Sequence, residues 1–460
     1  MNNKIVSLLF LFTSLWGFSQ EQNSRSFTLQ EAIDYALDSS YASINARRDL
    51  AKAIKQKWET TAQGLPQIDA SVGYNNNLKQ PVTLIPAEFM GGAPGTYYPV
   101  KFGTDQSMNA VATLNQLIFD GSYLVGLKAA KTFQNYSENA NEKTRLEVRK
   151  GVINAYGSVL LAQELVEVLE RNKTNLEKNV REARLTFENG LEEEESVEQL
   201  EITLLDITTQ LDNALRSLNI AKQMFNLSLG IDVDANTTLT DDLDALAQDN
   251  ISLELLDRRL ELEKTVDFKM ANNLVEQRFL EMRLEQSKAL PSLAAFINYG
   301  ASSFGEHFDF FKKDQKWYQQ SIFGVNLQIP IFSSGKRHAA TQRTRIALDQ
   351  AKTDFEEATQ QIRLNLTSAK SNYRFAIDKF ENSKRNLELA ERVERKNQMK
   401  FEEGISSSFE LRQAQLQLYS AQQQYFQSML DLINEKANLE TALNIPQLRI
   451  STKEIKKQQL

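Results

Sequence analysis

Proline is absent from Val100 to Leu290 and again from Ile331 to Ile445, and no other feature limits the fold of this chain as strongly. A proline inside a helix removes a hydrogen-bond donor and clashes with the preceding turn. Its absence leaves both stretches free to form very long helices. Of the 8 prolines, four crowd into Pro81–Pro99, where the chain must be irregular. The punctuation also recurs. Leu65-Pro66 returns as Leu290-Pro291 after 225 residues, and Ile118-Phe119 as Ile331-Phe332 after 213. Phe187-Glu188-Asn189-Gly190 returns as Phe401-Glu402-Glu403-Gly404, and Leu229-Gly230-Ile231 as Leu443-Asn444-Ile445, both after 214. A nearly constant offset marks a tandem duplication. The one change of offset puts extra length, an exposed loop, between the Leu-Pro and Ile-Phe markers of the first copy.

Within each copy the apolar period changes in the same order. Residues 28–64 read as one helix, with Leu37, Ile44, Ala51, Trp58 and Leu65 at every seventh position and Pro66 as its stop. The period then drops to two. Ile68, Ala70, Val72 and Tyr74 alternate with polar residues, as do Met108, Ala110, Ala112 and Leu114 beyond the loop. The second copy answers with Leu293, Ala295, Ile297 and Tyr299 and with Phe323, Val325, Leu327 and Ile329. Strands of about 8–12 residues suit a tilted bilayer crossing. From Ser122 to Asn189 and from Lys336 to Glu403 the heptad pattern predicts helices of about 100 Å, ended by Gly190 and Gly404. Returning helices carry two apolar seams each. The organisation expected is a signal peptide over 1–19, a first repeat over 20–231, a polar connector over 232–250, a second repeat over 251–446 and a tail over 447–460.

Composition narrows the function. The 460 residues allow two to three ordinary domains, and a mean hydropathy of −0.44 excludes a bundle of membrane-spanning helices. The chain has no cysteine, which removes disulfides, thiolate metal sites and cysteine nucleophiles. A formal charge of −7 argues against nucleic acid as a partner. Lys4, the apolar run Ile5–Phe18 and Gly17-Phe18-Ser19 read as a secretory signal, the alternative of a transmembrane anchor needing about 20 apolar residues, and no later segment reads as a spanning helix. A membrane is therefore entered through strands. Four strands cannot close a barrel, since closed barrels need at least about eight. A dimer, trimer or tetramer would supply 8, 12 or 16.

The segment Phe27-Thr28-Leu29-Gln30-Glu31-Ala32-Ile33-Asp34-Tyr35-Ala36-Leu37 resembles the opening signature of the TolC-like outer-membrane efflux family. The two Leu-Pro markers, the segment Ile329-Pro330-Ile331-Phe332-Ser333-Ser334-Gly335-Lys336-Arg337 and the Phe-x-x-Gly turns are similar to that family's repeat markers. The resemblance implies a mostly α fold with a small β part. Tandem repeats of long antiparallel coiled-coil helices and β-hairpins would form a trimeric 12-stranded β-barrel continued by an α-helical barrel. It also implies a homotrimer in the outer membrane of a Gram-negative bacterium, in contact with outer-membrane lipids and with a long periplasmic portion. This would be the passive exit duct of a tripartite efflux or type I secretion system, fed by a periplasmic adaptor and an inner-membrane pump of RND, ABC or MFS type. No cofactor and no enzymatic activity is expected. A soluble periplasmic coiled-coil adaptor or structural protein is the alternative.

The resemblance carries to residues at the helical tips. Glu410 falls where relatives place a ring of carboxylates across a closed aperture, and the second such position is Gln413, a departure from a doubled ring. Three copies of Glu410 around one axis would favour cations and raise one another's carboxyl pKa values; alternatively Glu410 simply complements the helix dipole. In the first copy Glu192-Glu193-Glu194-Glu195 and Glu198 either extend an acidic collar, meet basic residues of an adaptor, or simply suit a helix start and a solvated turn. Phe187, Gly190, Phe401 and Gly404 shape the ends that an adaptor would grip. The loop Lys79–Thr104 is expected outside the cell. The cluster Phe308-Asp309-Phe310-Phe311 with Trp317-Tyr318 belongs either to an interfacial aromatic belt or to a capping loop. Asp232-x-Asp234-x-Asn236 lacks the glycine and the glutamate of a calcium loop, and His307 and His338 lack clustered ligands.

Overall fold

The computed structural model describes residues 25–191, 193–259 and 261–445. The expected signal peptide, Glu192 and the expected tail 447–460 lie outside the described residues. In chain order the first copy contains β1 (Arg25–Phe27), α1 (Leu29–Ser39), α2 (Tyr41–Ala62), β2 (Gln67–Asn76), β3 (Val82–Pro86), β4 (Tyr97–Lys101), β5 (Gln106–Asp120), α3 (Gly121–Glu188) and α4 (Glu194–Leu229). There follow β6 (Thr237–Leu239), α5 (Leu243–Asp249), α6 (Glu254–Asp257), α7 (Val266–Ser287), β7 (Ser292–Gly305), β8 (Tyr318–Gln328), α8 (Lys336–Glu402) and α9 (Ser408–Ala442). The chain is mostly helical with a small β part, and the series α2, β2, β5, α3, α4 recurs as α7, β7, β8, α8, α9. It divides into two compact units, one of residues 50–138 and 271–356, the other formed by the remainder.

The first unit holds a four-stranded antiparallel sheet in the order β2-β5-β7-β8. Its register places Ile68, Val72 and Tyr74 on the same face as Leu114, Ile297, Phe323 and Val325, because side chains alternate across a strand. The opposite face carries Asp69, Ser71, Asn109, Thr113, Asn298 and Asn326. β5 and β7 run to 15 and 14 residues, beyond the expected strands, since central strands find partners on both sides. Ile118, read as a marker after the strand, sits at a bulge inside β5, whereas its counterpart Ile331 lies outside β8 and is fully exposed. Ile329 is also outside β8, where Pro330 can no longer donate to the ladder. The aromatic cluster joins the apolar face: Phe308 and Phe310 meet Tyr74 edge-on, with ring centroids 5.2 and 6.0 Å away.

The second unit is built from helices around one apolar core. Tyr156, Phe225, Tyr373, Met429 and Leu432, from four different helices, are almost completely buried there. One 18-residue window of α3 has a mean hydropathy of 1.3 and is long and apolar enough to cross a membrane, contrary to the sequence reading. Half of that window is buried inside the protein, so its apolarity serves packing against neighbouring helices. The expected single helix over 28–64 is two helices. Ser40 adopts an extended conformation, the Ser39 hydroxyl donates to Tyr35 O and lies 2.8 Å from Leu229 O, and Ser40 Oγ accepts from Ser43 N–H. Such side chains compete with the helical backbone.

The segment 232–250 is no open linker. β6 pairs in parallel with β1, and α5 is capped by Asp242 and buries Leu243 and Ala247. Three tyrosines hold this segment. The Tyr156 hydroxyl lies 2.9 Å from the Asp241 carboxylate, Tyr425 donates to Asp244 at 2.6 Å and Tyr373 donates to Asn250 O at 2.6 Å. Burial, reinforced by the carboxylate partners, pushes the hydroxyls of Tyr156 and Tyr425 well above the ordinary tyrosine value.

A buried ion pair, Arg149–Glu440, joins α3 to α9, and Lys436 is buried one turn away. Desolvation lowers the Lys436 pKa; Arg149 pushes the same way, while Glu440 and Asp249 oppose it. The unfolded chain therefore binds this proton more readily than the folded one. Stability from Lys436 falls as pH drops below the ordinary lysine value of 10.5 and rises towards it. Lys436→Met is expected to stabilise the fold near neutral pH by an amount on the order of 1 kcal/mol, and so to raise the melting temperature. It should also flatten the gain in stability as pH rises towards 10.5. Thermal melts across that range check this, and an unchanged pH dependence would contradict it.

Candidate gate at the helical tips

The two coiled-coil hairpins of the helical unit turn by the same device. At the end of α3, Gly190 has φ +74°, its N–H donates to Phe187 O at 2.8 Å, and Leu191 N–H donates to Thr186 O at 3.1 Å. At the end of α8, Gly404 has φ +72°, with Gly404 N–H on Phe401 O at 2.9 Å and Ile405 N–H on Lys400 O at 2.8 Å. Each is a paired C-terminal closure that satisfies carbonyls a helix end leaves orphaned. A Cβ at either glycine would meet open space, so the left-handed backbone alone demands glycine.

The helices that leave the two turns start differently. Ser407 caps α9 by accepting from Glu410 N–H, and Ser406 Oγ donates to the Glu410 carboxylate at 2.5 Å. The Ser406 hydroxyl first, then the Ser407 backbone N–H, hold the Glu410 carboxyl below the ordinary carboxylate range. Within one chain this is the reverse of the upward shift expected for a ring of three. α4 begins at Glu193 with no side-chain cap and with Glu194 and Glu195 in its first turn. Glu410 and Gln413 stand one turn apart, both exposed, and Glu198 is exposed on α4. No described hydrogen bond or ion pair joins Glu198 to Glu410.

Phe187 and Phe401 correspond in sequence but not in role. Phe401 packs on Val180, Ala183, Val197 and Leu200, whereas Phe187 remains exposed. A groove of about 810 Å³ brings Phe401 and Gly404 together with Leu191, Glu193, Glu402 and Ser406. Phe187, Gly190, Glu198, Glu410 and Gln413 do not line it. Two sets of residues were not anticipated. Leu191 and Ile405, one residue past each glycine, are 81% and 71% exposed. Asn179 and Gln398 exchange two amide hydrogen bonds of 3.2 Å, tying the first hairpin to the second. The Ser407-x-x-Glu410 spacing does announce a capped helix start; nothing in the sequence announces the amide pair.

The outer membrane efflux protein family model matches residues 32–230 and 258–444. The chain belongs to this family. Its members are outer-membrane channels rather than enzymes, and the chain is accordingly an outer-membrane efflux channel; the soluble periplasmic reading is not favoured. The outer membrane protein TolC of Vibrio cholerae is 22% identical over 437 residues, covering 88% of this chain and 87% of the relative. Among solved structures, the CmeC outer membrane channel of Campylobacter jejuni matches with a TM-score of 0.71 at 16% identity, over 93% of this chain and 88% of its own. VceC of Vibrio cholerae matches with a TM-score of 0.69 at 15% identity, over 90% and 96%. At these identities the structures speak for the fold.

For this efflux channel, Gly404→Ala is expected to cost the tip about 1–2 kcal/mol, the price of a left-handed L-residue, and to speed limited proteolysis there. Gly151→Ala, inside α3 and facing open space, is expected to stabilise by roughly 0.5–1 kcal/mol. Equal effects of the two substitutions would contradict the backbone argument.

Proposed function

We propose that three copies of this chain form the exit duct of an efflux or secretion assembly. The carrying observation is the sheet, which has one apolar face, one polar face and two edge strands, β2 and β8, each with no described strand on its outer side. In lipid each unpaired backbone group costs several kcal/mol. Twelve strands from three chains pair every edge, turn the apolar face to lipid and leave Asp69, Asn109 and Asn298 facing a water-filled lumen. Transport through such a duct is passive, and the energy comes from an inner-membrane pump of RND, ABC or MFS type.

In this reading the tips are the periplasmic entrance. Three Glu410 carboxylates around one axis make a cation-favouring constriction. Ser406 and Ser407 keep each carboxylate ionised by hydrogen bonding, which opposes the upward shift from mutual repulsion. The exposed apolar residues Leu191 and Ile405, beside Gly190 and Gly404, are the surface offered to a periplasmic adaptor. Exposed apolar groups at the end of a polar helical hairpin suit a partner contact.

Planar-bilayer recording of the purified channel tests the gate. Glu410→Ala is expected to reduce cation preference and weaken block by divalent ions, and Gln413→Glu to strengthen both. Unchanged reversal potentials in both variants would remove Glu410 from the constriction.

A further inference from the structure

The extra length of the first copy folds into a hairpin of its own, β3 and β4, which pair with each other and with no other described strand. Two strands alone are marginally stable in water, so this hairpin needs a surface to rest on. Its register puts Val82, Leu84 and Tyr97 on one side, and they are 52%, 61% and 61% exposed. Phe89 at its turn is 82% exposed. Between Lys79 and Thr104 only Lys79, Glu88 and Lys101 are charged, an unusual composition for a loop left in water.

The base of the hairpin fixes where that side is presented. Asn77 N–H donates to Asp105 O at 2.8 Å and Gln80 donates to the Asp105 carboxylate at 2.7 Å, which holds the hairpin at the end of β2. The registers place Asn76, Gln106, Gly305 and Tyr318 at that same end of the sheet. β2 is an edge strand, so what lies across it in a closed barrel is β8 of a second copy, beginning at an exposed Tyr318. We propose that the Val82–Leu84–Tyr97 side of the hairpin docks on the neighbouring copy of this chain, across the β2/β8 seam at the barrel mouth. Each copy then clasps the next outside the membrane. This rests on the assembly proposed above and adds to it a contact that the barrel wall alone does not require.

The test is a benzophenone-bearing residue placed at Leu84 or at Tyr97 in the full chain in intact cells, with a third probe at Val72 on β2. Illumination is expected to give adducts at two and three times the chain mass from the hairpin positions as well as from Val72. Adducts to a polypeptide of another mass, or none, from the hairpin while Val72 still links chain to chain would overturn the clasp and leave the trimer standing. Loss of chain-to-chain adducts at Val72 as well would overturn both. In parallel, Leu84→Glu is expected to lower the temperature at which the assembly dissociates in detergent by a few degrees without changing single-channel conductance. An unchanged dissociation temperature would count against the clasp.

Discussion

A strand edge cannot end in lipid. Backbone N–H and C=O groups that water would satisfy must there be satisfied by protein, and this chain's main sheet has four strands, of which β2 and β8 have one side open. The proposed assembly, the use of the two sheet faces and the place of the extra hairpin all follow from that requirement. It also accounts for a membrane protein with a mean hydropathy of −0.44. Only one face of four strands meets lipid, while helices such as α3 and α8, of 68 and 67 residues, are built for water and for one another.

Those helices are not uniformly packed. The main core is apolar and aromatic, and the connector is fastened to it by Tyr156, Tyr373 and Tyr425. Towards the tips a smaller cluster around Val180 and Leu200 stands apart from the main core, Leu176 and Leu411 are fully buried, and amides also join the hairpins: Asn172 meets Gln422 at 3.0 Å, and Asn179 meets Gln398. Net hydrogen-bond contributions of roughly 1 kcal/mol specify a register without the strength of an apolar seam. The tips thus combine two defined turns with a small apolar cluster and amide pairs between the hairpins.

What was legible in the sequence was what depends on local rules. Long helices followed from missing prolines, the turns from Gly190 and Gly404, and the strand faces from alternation at Ile68–Tyr74 and Phe323–Leu327. What was not legible depends on tertiary partners. The break at Ser40 came from the Ser39 hydroxyl finding two carbonyls, one of them distant in sequence, and from Ser40 Oγ accepting the Ser43 N–H. The order within 232–250 came from tyrosines 85, 123 and 181 positions away from their partners, an interaction no periodicity reveals. At the tip, the Phe-x-x-Gly repeat located both turns but could not tell that Phe401 is packed and Phe187 exposed, because that difference depends on what the neighbouring hairpin offers.

The number of chains in the particle is the most direct test, since it decides how many strands can close. Native mass spectrometry of the protein extracted from outer membranes is expected to give three copies of one chain. A conducting particle of one, two or four copies would contradict the account, because 4, 8 or 16 strands would then have to satisfy the edges that β2 and β8 leave open.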